Sequence, residues 1–180
     1  MIAGLSTGDD AARPAPGRLA GLPPVADERA KLLVLGSFPG VASLQQRRYY
    51  AHPRNQFWPI LSTLFGLDLL ALGYARRLAA VRGRGLAIWD VYAACERDGS
   101  LDSAIRDAQP NDLAALVRTL PRLRGIAHNG GESARAMRIT RGLGLPVWRL
   151  PSTSPANASW SLERKCEAWR AVFRSCELIA

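Results

Sequence analysis

The segment YYAHPRNQFW, residues 49–58, places aromatic rings beside amide side chains, an imidazole and an arginine. The Gly- and Pro-rich segment GSFPG, residues 36–40, lies shortly before it. Ring faces can stack on a ligand, and amide groups can both donate and accept hydrogen bonds. A Gly/Pro loop after a strand exposes backbone N–H groups that can bind a carbonyl or a phosphate, although a plain tight turn also explains these residues. The two segments therefore indicate a site for a polar ligand.

Several common catalytic motifs are absent from the candidate segments. There is neither the GxxxxGK(S/T) pattern of a nucleotide P-loop nor a GxGxxG dinucleotide turn. No predicted strand leads into a GxSxG elbow, and His52 and His128 are the only imidazoles, which disfavours Ser-His-Asp hydrolysis. Few acids besides Asp90 are available for paired-carboxylate chemistry. The three cysteines form no CxxC pair, and we expect no metal and no cofactor.

The chain has 180 residues and a formal net charge of +9, with a sequence pI near 10.5. A domain this basic favours nucleic acid as a partner, and its excess of arginine suits phosphate recognition. A solvated basic surface without a ligand explains the same charge. No apolar run is long enough to span a membrane and no signal-peptide pattern is present, so we expect a cytoplasmic protein.

Four short apolar runs predict the strands that must position these residues: 31–37, 85–91, 124–130 and 146–152. Helical patterns alternate with them and cover residues 55–66, 74–83, 111–123, 131–144 and 158–179. This alternation predicts an α/β fold with three layers, α/β/α, around a central, mainly parallel four-stranded sheet. We expect residues 1–28 to form a flexible arm and residues 29–180 to form a single domain.

Ligands of parallel sheets bind beside the carboxyl ends of the strands. This rule places four polar segments at one edge of the predicted sheet: GSFPG (36–40), WDV (89–91), HNGG (128–131) and LPSTSPANA (150–158). The sequence therefore predicts a ligand-binding site at this edge.

These motifs together resemble the uracil-DNA glycosylase superfamily, from about Gly21 to the C-terminus. GSFPG occupies the place of the superfamily's first motif, and YYAHPRNQFW closely matches the aromatic-Ala-His-Pro-x-Asn-x-Phe-Trp segment of the mismatch-specific branch. NGG (129–131) resembles the Asn-Gly after the third strand, and LPSTSPANA resembles the second motif, which inserts into DNA. The chain is most similar to the hypoxanthine-DNA (deoxyinosine) glycosylase branch, called family 6, and next to the mismatch-specific uracil/thymine branch.

The resemblance implies a DNA glycosylase, which must extrude a base, stack it, read its edge and release it. The mismatch-specific branch positions water with an Asn in the middle of the first motif, where this chain has Phe38. The hypoxanthine branch implies that Asn55 takes this catalytic role, although Asn55 also suits a helix cap. Tyr50 aligns with the stacking aromatic of the family, and a core tyrosine is the alternative.

Asp90 lies where members of the superfamily read the base edge. A carboxylate can accept from the N–H that hypoxanthine and uracil present beside a carbonyl, whereas a turn cap or a pair with arginine is the alternative role. Further expected base contacts are Ser37, Phe38 and Asn129. For Asn129 a turn role is the alternative, because an Asn-Gly pair suits a turn. The expected DNA contacts are Arg54, Ser152, Thr153, Ser154 and Asn157.

The expected activity is monofunctional hydrolysis of the N-glycosidic bond, which releases hypoxanthine first and uracil second in base excision repair. No lyase step is expected, because the only lysines, Lys31 and Lys165, lie at a strand start and in the last helix. The expected partner is damaged DNA, single- or double-stranded, bound by a monomer that associates with the nucleoid. The alternatives are a non-catalytic nucleic-acid-binding module on the same fold and a hydrolase of free nucleosides.

Overall fold

We describe the fold from a computed structural model, which describes residues 17–180. The strands are β1 (Leu19–Ala20), β2 (Leu32–Gly36), β3 (Leu86–Asp90), β4 (Tyr92–Glu96), β5 (Arg106–Pro110), β6 (Gly125–Asn129) and β7 (Val147–Leu150). The helices are α1 (Val41–Gln46), α2 (Phe57–Phe65), α3 (Tyr74–Gly83), α4 (Leu113–Arg118), α5 (Gly131–Ala134), α6 (Met137–Arg141) and α7 (Leu162–Ser175). No helix in this part of the chain is long and apolar enough to cross a membrane.

The four apolar runs form a parallel sheet in the order β3-β2-β6-β7. Strands β2 and β6 are buried over their whole length, which explains why such strands have continuous apolar sequences. The register aligns Gly36 with Asp90 and Asn129 with Leu150, so neighbouring strands end side by side. The predicted four-stranded parallel sheet is confirmed.

Helices cover both faces of this sheet. Phe57 of α2 and Trp169 of α7 belong to the core on one face, which also contains Leu32 of β2. Leu113 of α4 belongs to the core on the other face, together with Leu33. Consecutive residues of β2 therefore enter different cores, as the alternation of side chains along a strand requires. The predicted α/β/α architecture is confirmed.

Helix α2 begins at Phe57, two residues later than the start of its sequence pattern. Pro59 lies in the first turn, where the missing N–H of proline breaks no helical hydrogen bond. Asn55 stays outside the helix, and its Oδ1 accepts a hydrogen bond from the Phe57 N–H at 2.9 Å. The late start leaves Asn55 in the loop that precedes the helix.

Helix α7 also begins later than its pattern predicts, at Leu162 rather than at residue 158. The Ser161 Oγ accepts a hydrogen bond from the Arg164 N–H at 3.2 Å and caps the helix. Residues 158–160 therefore belong to the preceding loop. Residues 131–144, predicted as one helix, instead contain the two short helices α5 and α6.

A second sheet, which the sequence patterns do not indicate, pairs β4 with β1 and β5 in antiparallel directions. Strand β5, RDAQP, is exposed throughout and lacks apolar alternation, so its sequence resembles that of a loop. The connection between β4 and β5 contains a short 3-10 helix, Asp102–Ala104, beside the end of β2. This sheet thereby supplies part of the wall at the carboxyl edge.

Residues 17–28 pack against the domain, contrary to the expectation of a flexible arm up to residue 28. Leu19–Ala20 pairs with β4, because an extended segment can add an edge strand without apolar periodicity of its own. Val25 is buried and exchanges two backbone hydrogen bonds with Ile88, each 2.8 Å long. Residues 1–16 lie outside the described residues, so the arm stays a prediction there.

His128 lies in the core, although its sequence position at the end of a strand suggests the carboxyl edge. Its Nδ1 is 2.8 Å from the Ser133 Oγ, and its Nε2 is 2.9 Å from the Thr140 Oγ1. Burial lowers the pKa of this imidazole to about 4, because the charged form is unfavourable away from water. His128 therefore joins β6 to helices α5 and α6 as a neutral ring.

We predict that His128 makes the folded protein sensitive to acid. Its pKa of about 4 lies below the ordinary value of 6.5, so the unfolded chain binds more protons between these values. The free energy of unfolding is therefore expected to fall as the pH drops from 6.5 to 4, by up to about 3 kcal/mol from this residue.

Urea unfolding of the wild type and of His128→Asn across this pH range measures the effect. The stability difference between the two proteins is expected to shrink towards pH 4, because the variant lacks the titrating ring. A His52→Gln variant, which changes an exposed imidazole, is expected to retain the pH dependence of the wild type. A difference that stays constant with pH would contradict the prediction.

Candidate active site

A cavity of about 780 Å³ lies at the carboxyl ends of the four parallel strands. We call it the active-site cavity, and its walls include the GSFPG loop (36–40) and the Ser/Pro loop (150–157). The structure brings together all the predicted base-contact and catalytic residues in its lining: Ser37, Phe38, Tyr50, Asn55, Asp90 and Asn129. Among residues 17–180, no group of His, Cys, Asp and Glu side chains is arranged to hold a metal ion.

Asp90 ends β3 and is buried in the wall of the active-site cavity. Its Oδ2 is inaccessible to water and has no hydrogen-bond partner among the described residues. Burial, with a smaller contribution from the charge of Asp102, raises the pKa of this carboxyl to about 7, against the opposing effect of Arg97. A buried polar atom without a partner requires an explanation, and a ligand N–H supplies one if the carboxylate turns towards the cavity when the ligand binds.

Gly36 provides the space that the Asp90 carboxylate occupies. A Cβ added at residue 36 would lie 2.3 Å from the Asp90 Oδ1 and 3.2 Å from the hydroxyl oxygen of Tyr50. Both polar groups therefore approach the same side of the last residue of β2. Any side chain at residue 36 would displace the carboxylate from this position.

Tyr50 has an unusual backbone conformation, with φ of 54°, which is strained for a residue other than glycine. Its ring stacks on Phe57 with a centroid distance of 3.8 Å and an interplanar angle of 19°. The Tyr50 hydroxyl is buried and has no hydrogen-bond partner among the described residues. Phe57 covers one ring face, so the opposite face is the one left for a ligand.

Asn55 lines the cavity, and its side chain also organises the start of α2 through the Phe57 N–H. This bond uses one lone pair of the Asn55 Oδ1, and a carbonyl oxygen has two. The Asn55 Nδ2 donates to no atom of the described residues. The cap and catalytic roles considered from the sequence are therefore compatible in the same side chain.

The GSFPG loop presents its backbone rather than its side chains. The Ser37 Oγ donates to the Asp102 Oδ1 at 2.6 Å, and the Phe38 ring is buried with the Arg97 guanidinium 5.1 Å from its centre. The backbone N–H groups of Ser37 and Phe38 donate to no acceptor among the described residues. These two N–H groups are therefore candidate donors to a ligand carbonyl.

Asn129 holds the Ser/Pro loop in place with both atoms of its amide. Its Nδ2 donates to the Thr153 Oγ1 at 2.9 Å, and its Oδ1 accepts from the Thr153 N–H at 3.0 Å. Both residues are buried. The structure thus shows a positioning contact for Asn129 and Thr153, whereas their contacts with base and DNA stay predictions.

The remaining predicted DNA contacts lie on more accessible surface. Ser152 and Ser154 line the cavity and are half-buried, and the Ser154 N–H donates to the Ser152 Oγ at 3.2 Å. The Asn157 Nδ2 donates to the Ser152 carbonyl at 3.1 Å, which closes the loop on itself. Arg54 is exposed and lies outside the cavity lining. Hydroxyl and guanidinium groups in such positions can reach backbone phosphates.

Lys165 is almost fully buried in α7 and joins three parts of the site. Its Nζ donates to the Gln56 Oε1 at 2.7 Å and to the Asn157 carbonyl at 2.9 Å. The Gln56 N–H in turn donates to the Thr153 carbonyl at 2.9 Å. Burial lowers the pKa of the Lys165 ammonium. The segment that contains Asn55 is thereby fixed to the Ser/Pro loop.

Trp160 and Arg149 are among the cavity residues that the sequence patterns missed. Trp160 lines the cavity and stacks against the Arg164 guanidinium, 3.9 Å from the ring centre. The cap residue Ser161 is the signal that could have placed Trp160 in the loop before α7. Arg149 also lines the cavity, from an exposed position in β7 that no motif marks.

Comparison with known proteins assigns this site to a family. A family model described as UDG, Uracil DNA glycosylase superfamily, matches residues 23–174. The chain belongs to the uracil DNA glycosylase superfamily. The match spans the GSFPG loop, the YYAHPRNQFW segment and the Ser/Pro loop. The superfamily membership predicted from the sequence motifs is confirmed.

Similar members of the superfamily cover almost the same length. A hypoxanthine DNA glycosylase of Methanosarcina acetivorans is 38% identical over 154 residues, which are 86% of this chain and 97% of the relative. A protein of the same name from Methanosarcina barkeri is 36% identical with the same coverage. A solution NMR structure from Methanosarcina acetivorans, described as a candidate uracil DNA glycosylase, has a TM-score of 0.80 at 37% identity and covers 89% of this chain and 99% of that chain.

We predict that Lys165→Met destabilises the protein by about 1–3 kcal/mol, because it leaves the half-buried Gln56 Oε1 and the Asn157 carbonyl without this donor. Urea unfolding measures this loss, and hydrogen exchange is expected to show faster opening of residues 152–157. Lys31→Met is the matched control, since Lys31 donates only to the Glu177 carbonyl near the surface. Equal effects of the two substitutions would refute the linking role of Lys165.

Proposed function

We propose that this DNA glycosylase removes hypoxanthine from damaged DNA, and uracil as a second substrate, in base excision repair. The observation that carries the proposal is the buried Oδ2 of Asp90, which has no partner among the described residues and lies in the cavity wall near the Tyr50 hydroxyl. The choice of base is supported by two relatives, 36% and 38% identical, that are named hypoxanthine DNA glycosylase.

Base recognition follows from the donors and acceptors that the cavity offers. Hypoxanthine and uracil each present an N–H beside a carbonyl. The ionised Asp90 carboxylate, turned towards the cavity, accepts from that N–H, and the backbone N–H groups of Ser37 and Phe38 donate to the carbonyl. Adenine instead presents a ring nitrogen lone pair to the carboxylate. Each buried group left unpaired in that case costs roughly 1–3 kcal/mol, so the site rejects the normal base.

Tyr50 supplies the surface on which the extruded base stacks. Phe57 supports the rear face of its ring, so the free face is fixed before the base arrives. Stacking on an aromatic face contributes about 1–3 kcal/mol per base, which offsets part of the cost of extrusion from the duplex. Because a ring face is insensitive to base identity, Tyr50 holds the base while Asp90 identifies it.

Asn55 positions the water that replaces the base. Its Oδ1 has a second lone pair for a water O–H, beside the one that receives the Phe57 N–H. The C1′–N bond breaks and its electron pair leaves with the base, which leaves an oxocarbenium-like sugar. The water oxygen bonds to C1′, and the proton that the water loses is taken up, through solvent, by the departing base anion. The N–H groups of Ser37 and Phe38 stabilise the negative charge that develops on the departing base.

Water rather than an amine is the nucleophile in this site. The Lys165 Nζ is buried between Gln56 and Asn157 and does not line the cavity. The Lys31 Nζ donates to the Glu177 carbonyl, beyond the amino end of β2. The expected product is therefore an intact abasic site, without strand cleavage.

A base-release assay on labelled duplexes tests the function. Each duplex contains one hypoxanthine, uracil, xanthine or thymine, and free deoxyinosine is assayed in parallel. We expect release of hypoxanthine, with slower release of uracil. Asn55→Ala is expected to lower the rate by roughly 10²–10³-fold, as the loss of one oriented catalytic group does, while binding to abasic-site DNA is retained.

Gln109→Ala is the control for Asn55→Ala, because it removes an exposed amide from β5. Turnover of free deoxyinosine at a comparable rate would indicate a nucleoside hydrolase and contradict the proposal. Tight, salt-sensitive DNA binding without release of any base would indicate a non-catalytic binding module.

The pKa of Asp90 predicts the pH dependence of base release. The carboxyl titrates at about 7, and only its ionised form accepts from the base N–H. The value of kcat/KM for hypoxanthine is therefore expected to rise about tenfold between pH 6 and pH 8. Single-turnover rates of the wild type and Asp90→Asn measure this, and the variant is expected to lose the rise. A rise that persists in Asp90→Asn would assign the titration to another group.

A further inference from the structure

A second cavity, of about 340 Å³, lies on the other side of the segment that contains the site residues. Tyr49, Tyr50, His52 and Asn55 line both cavities, so residues 49–55 separate the two spaces. The second cavity is completed by the ends of α1, α2 and α3 and the loop before α3. A group bound there would be an immediate neighbour of a ligand in the active-site cavity.

Two arginines give the second cavity a positive charge. The Arg48 guanidinium lies 5.6 Å from the centre of the Tyr74 ring, and the Arg77 guanidinium lies 4.9 Å from that of Trp58. The residues that line this cavity include no Asp or Glu. Among the described residues, neither arginine forms an ion pair with a carboxylate.

The charge of Arg48 affects Arg77, and the charges of both arginines affect the Tyr74 hydroxyl. Burial and the charge of Arg48 both lower the pKa of Arg77. Burial raises the pKa of Tyr74, and the charges of Arg48 and Arg77 both oppose that rise. Arg48 is exposed, so water screens part of the repulsion between the two guanidiniums, and an anion bound between them would offset the rest.

Arg77 also has a donor without a partner. Its Nη2 donates to the Leu70 and Leu72 carbonyls at 3.4 and 3.2 Å, which fixes the guanidinium beside the cavity. Its Nε is buried and has no acceptor among the described residues. The Nη1 donates to none of the described residues and is not among the buried unpaired atoms, so it is the donor that this fixed guanidinium offers to an oxygen-rich anion.

The surroundings of the arginines favour a phosphodiester over a small hydrophobic ligand. Gly73, which precedes α3, lines the cavity, and the amino end of this helix adds to the positive potential. Tyr74 and the exposed His52 ring provide further polar groups at the walls. The volume accommodates a phosphate with its adjoining sugar atoms.

We propose that this second cavity binds a backbone phosphate of the DNA strand, next to the nucleotide whose base enters the active-site cavity. This inference rests on the proposed function, because it assumes that a DNA strand crosses the segment 49–55. The phosphate neutralises Arg48 and Arg77 and fixes the strand on the side of this segment opposite to the Ser/Pro loop. Contacts on both sides then hold the sugar that carries the extruded base.

The test compares Arg48→Met with Arg122→Met in binding to a duplex that contains a tetrahydrofuran abasic site. The Arg48 side chain makes no hydrogen bond to the described residues, so its loss leaves the fold intact. Arg122 is exposed before β6, at the opposite edge of the sheet, and its replacement removes the same charge. Fluorescence anisotropy at several salt concentrations gives Kd and its salt dependence.

We expect Arg48→Met to weaken binding about five- to tenfold at low salt and to reduce the slope of log Kd against log salt by about one. Arg122→Met is expected to change neither quantity. Single methylphosphonates at successive positions around the abasic site then locate the phosphate. One position is expected to weaken binding of the wild type but to have no further effect in Arg48→Met, because both changes remove the same contact.

Three results would overturn this inference. Equal effects of Arg48→Met and Arg122→Met would show that Arg48 contributes only general charge. If every methylphosphonate weakened binding of Arg48→Met as much as it weakened binding of the wild type, no backbone phosphate would lie in the cavity. Inorganic phosphate that binds the wild type but not Arg48→Met, with no change in DNA affinity, would show a site for a free anion.

The outcome is separable from that of the proposed function. If the protein releases bases but Arg48→Met behaves like Arg122→Met, only the proposed phosphate site is refuted. If no base is released but one methylphosphonate position depends on Arg48, the proposed glycosylase function is refuted and the phosphate site is supported.

Discussion

The contact between the Asp90 carboxylate and the bare Cα of Gly36 is the interaction on which the site depends. Parallel register places the two residues side by side at the ends of β3 and β2, and the absence of a Cβ lets the carboxylate lie against the neighbouring strand. The result is a buried acid with one oxygen that no described residue satisfies. That oxygen is unfavourable in the empty site and becomes favourable when an N–H of a base reaches it.

Polar contacts between loops hold the rest of the cavity around this acid. Asn129 fixes Thr153, Gln56 donates to the Thr153 carbonyl, and Lys165 joins Gln56 to Asn157. The loop with Asn55 and the Ser/Pro loop therefore keep a fixed separation before DNA binds. The strained backbone of Tyr50 belongs to the same arrangement, because the conformation that places its ring on Phe57 is one that only surrounding contacts can maintain.

The sequence was sufficient to predict the parallel sheet and the residues at its edge, but not the contacts between them. Continuous apolar runs identify buried strands, and the rule for parallel sheets then brings Gly36, Asp90 and Asn129 together. The antiparallel sheet had no comparable signal, because the exposed β5 has no large apolar residue and no apolar alternation. The pairing of Lys165 with Gln56 joins residues 109 positions apart, and no local pattern encodes such a contact. Trp160 was missed because the apolar pattern of α7 continues through the residues before its cap.

The central claim is that the Asp90 carboxylate reads the N–H edge of a base held on the Tyr50 ring. A crystal structure with a duplex that contains 2′-fluoro-deoxyinosine tests it most directly, because the fluorine slows cleavage and preserves the bound base. We predict a base in the active-site cavity, with its ring on the free face of Tyr50 and its N1–H within hydrogen-bond distance of a carboxylate oxygen of Asp90. A base in the cavity whose N1–H points away from Asp90, or one that stays stacked in the duplex, would contradict it.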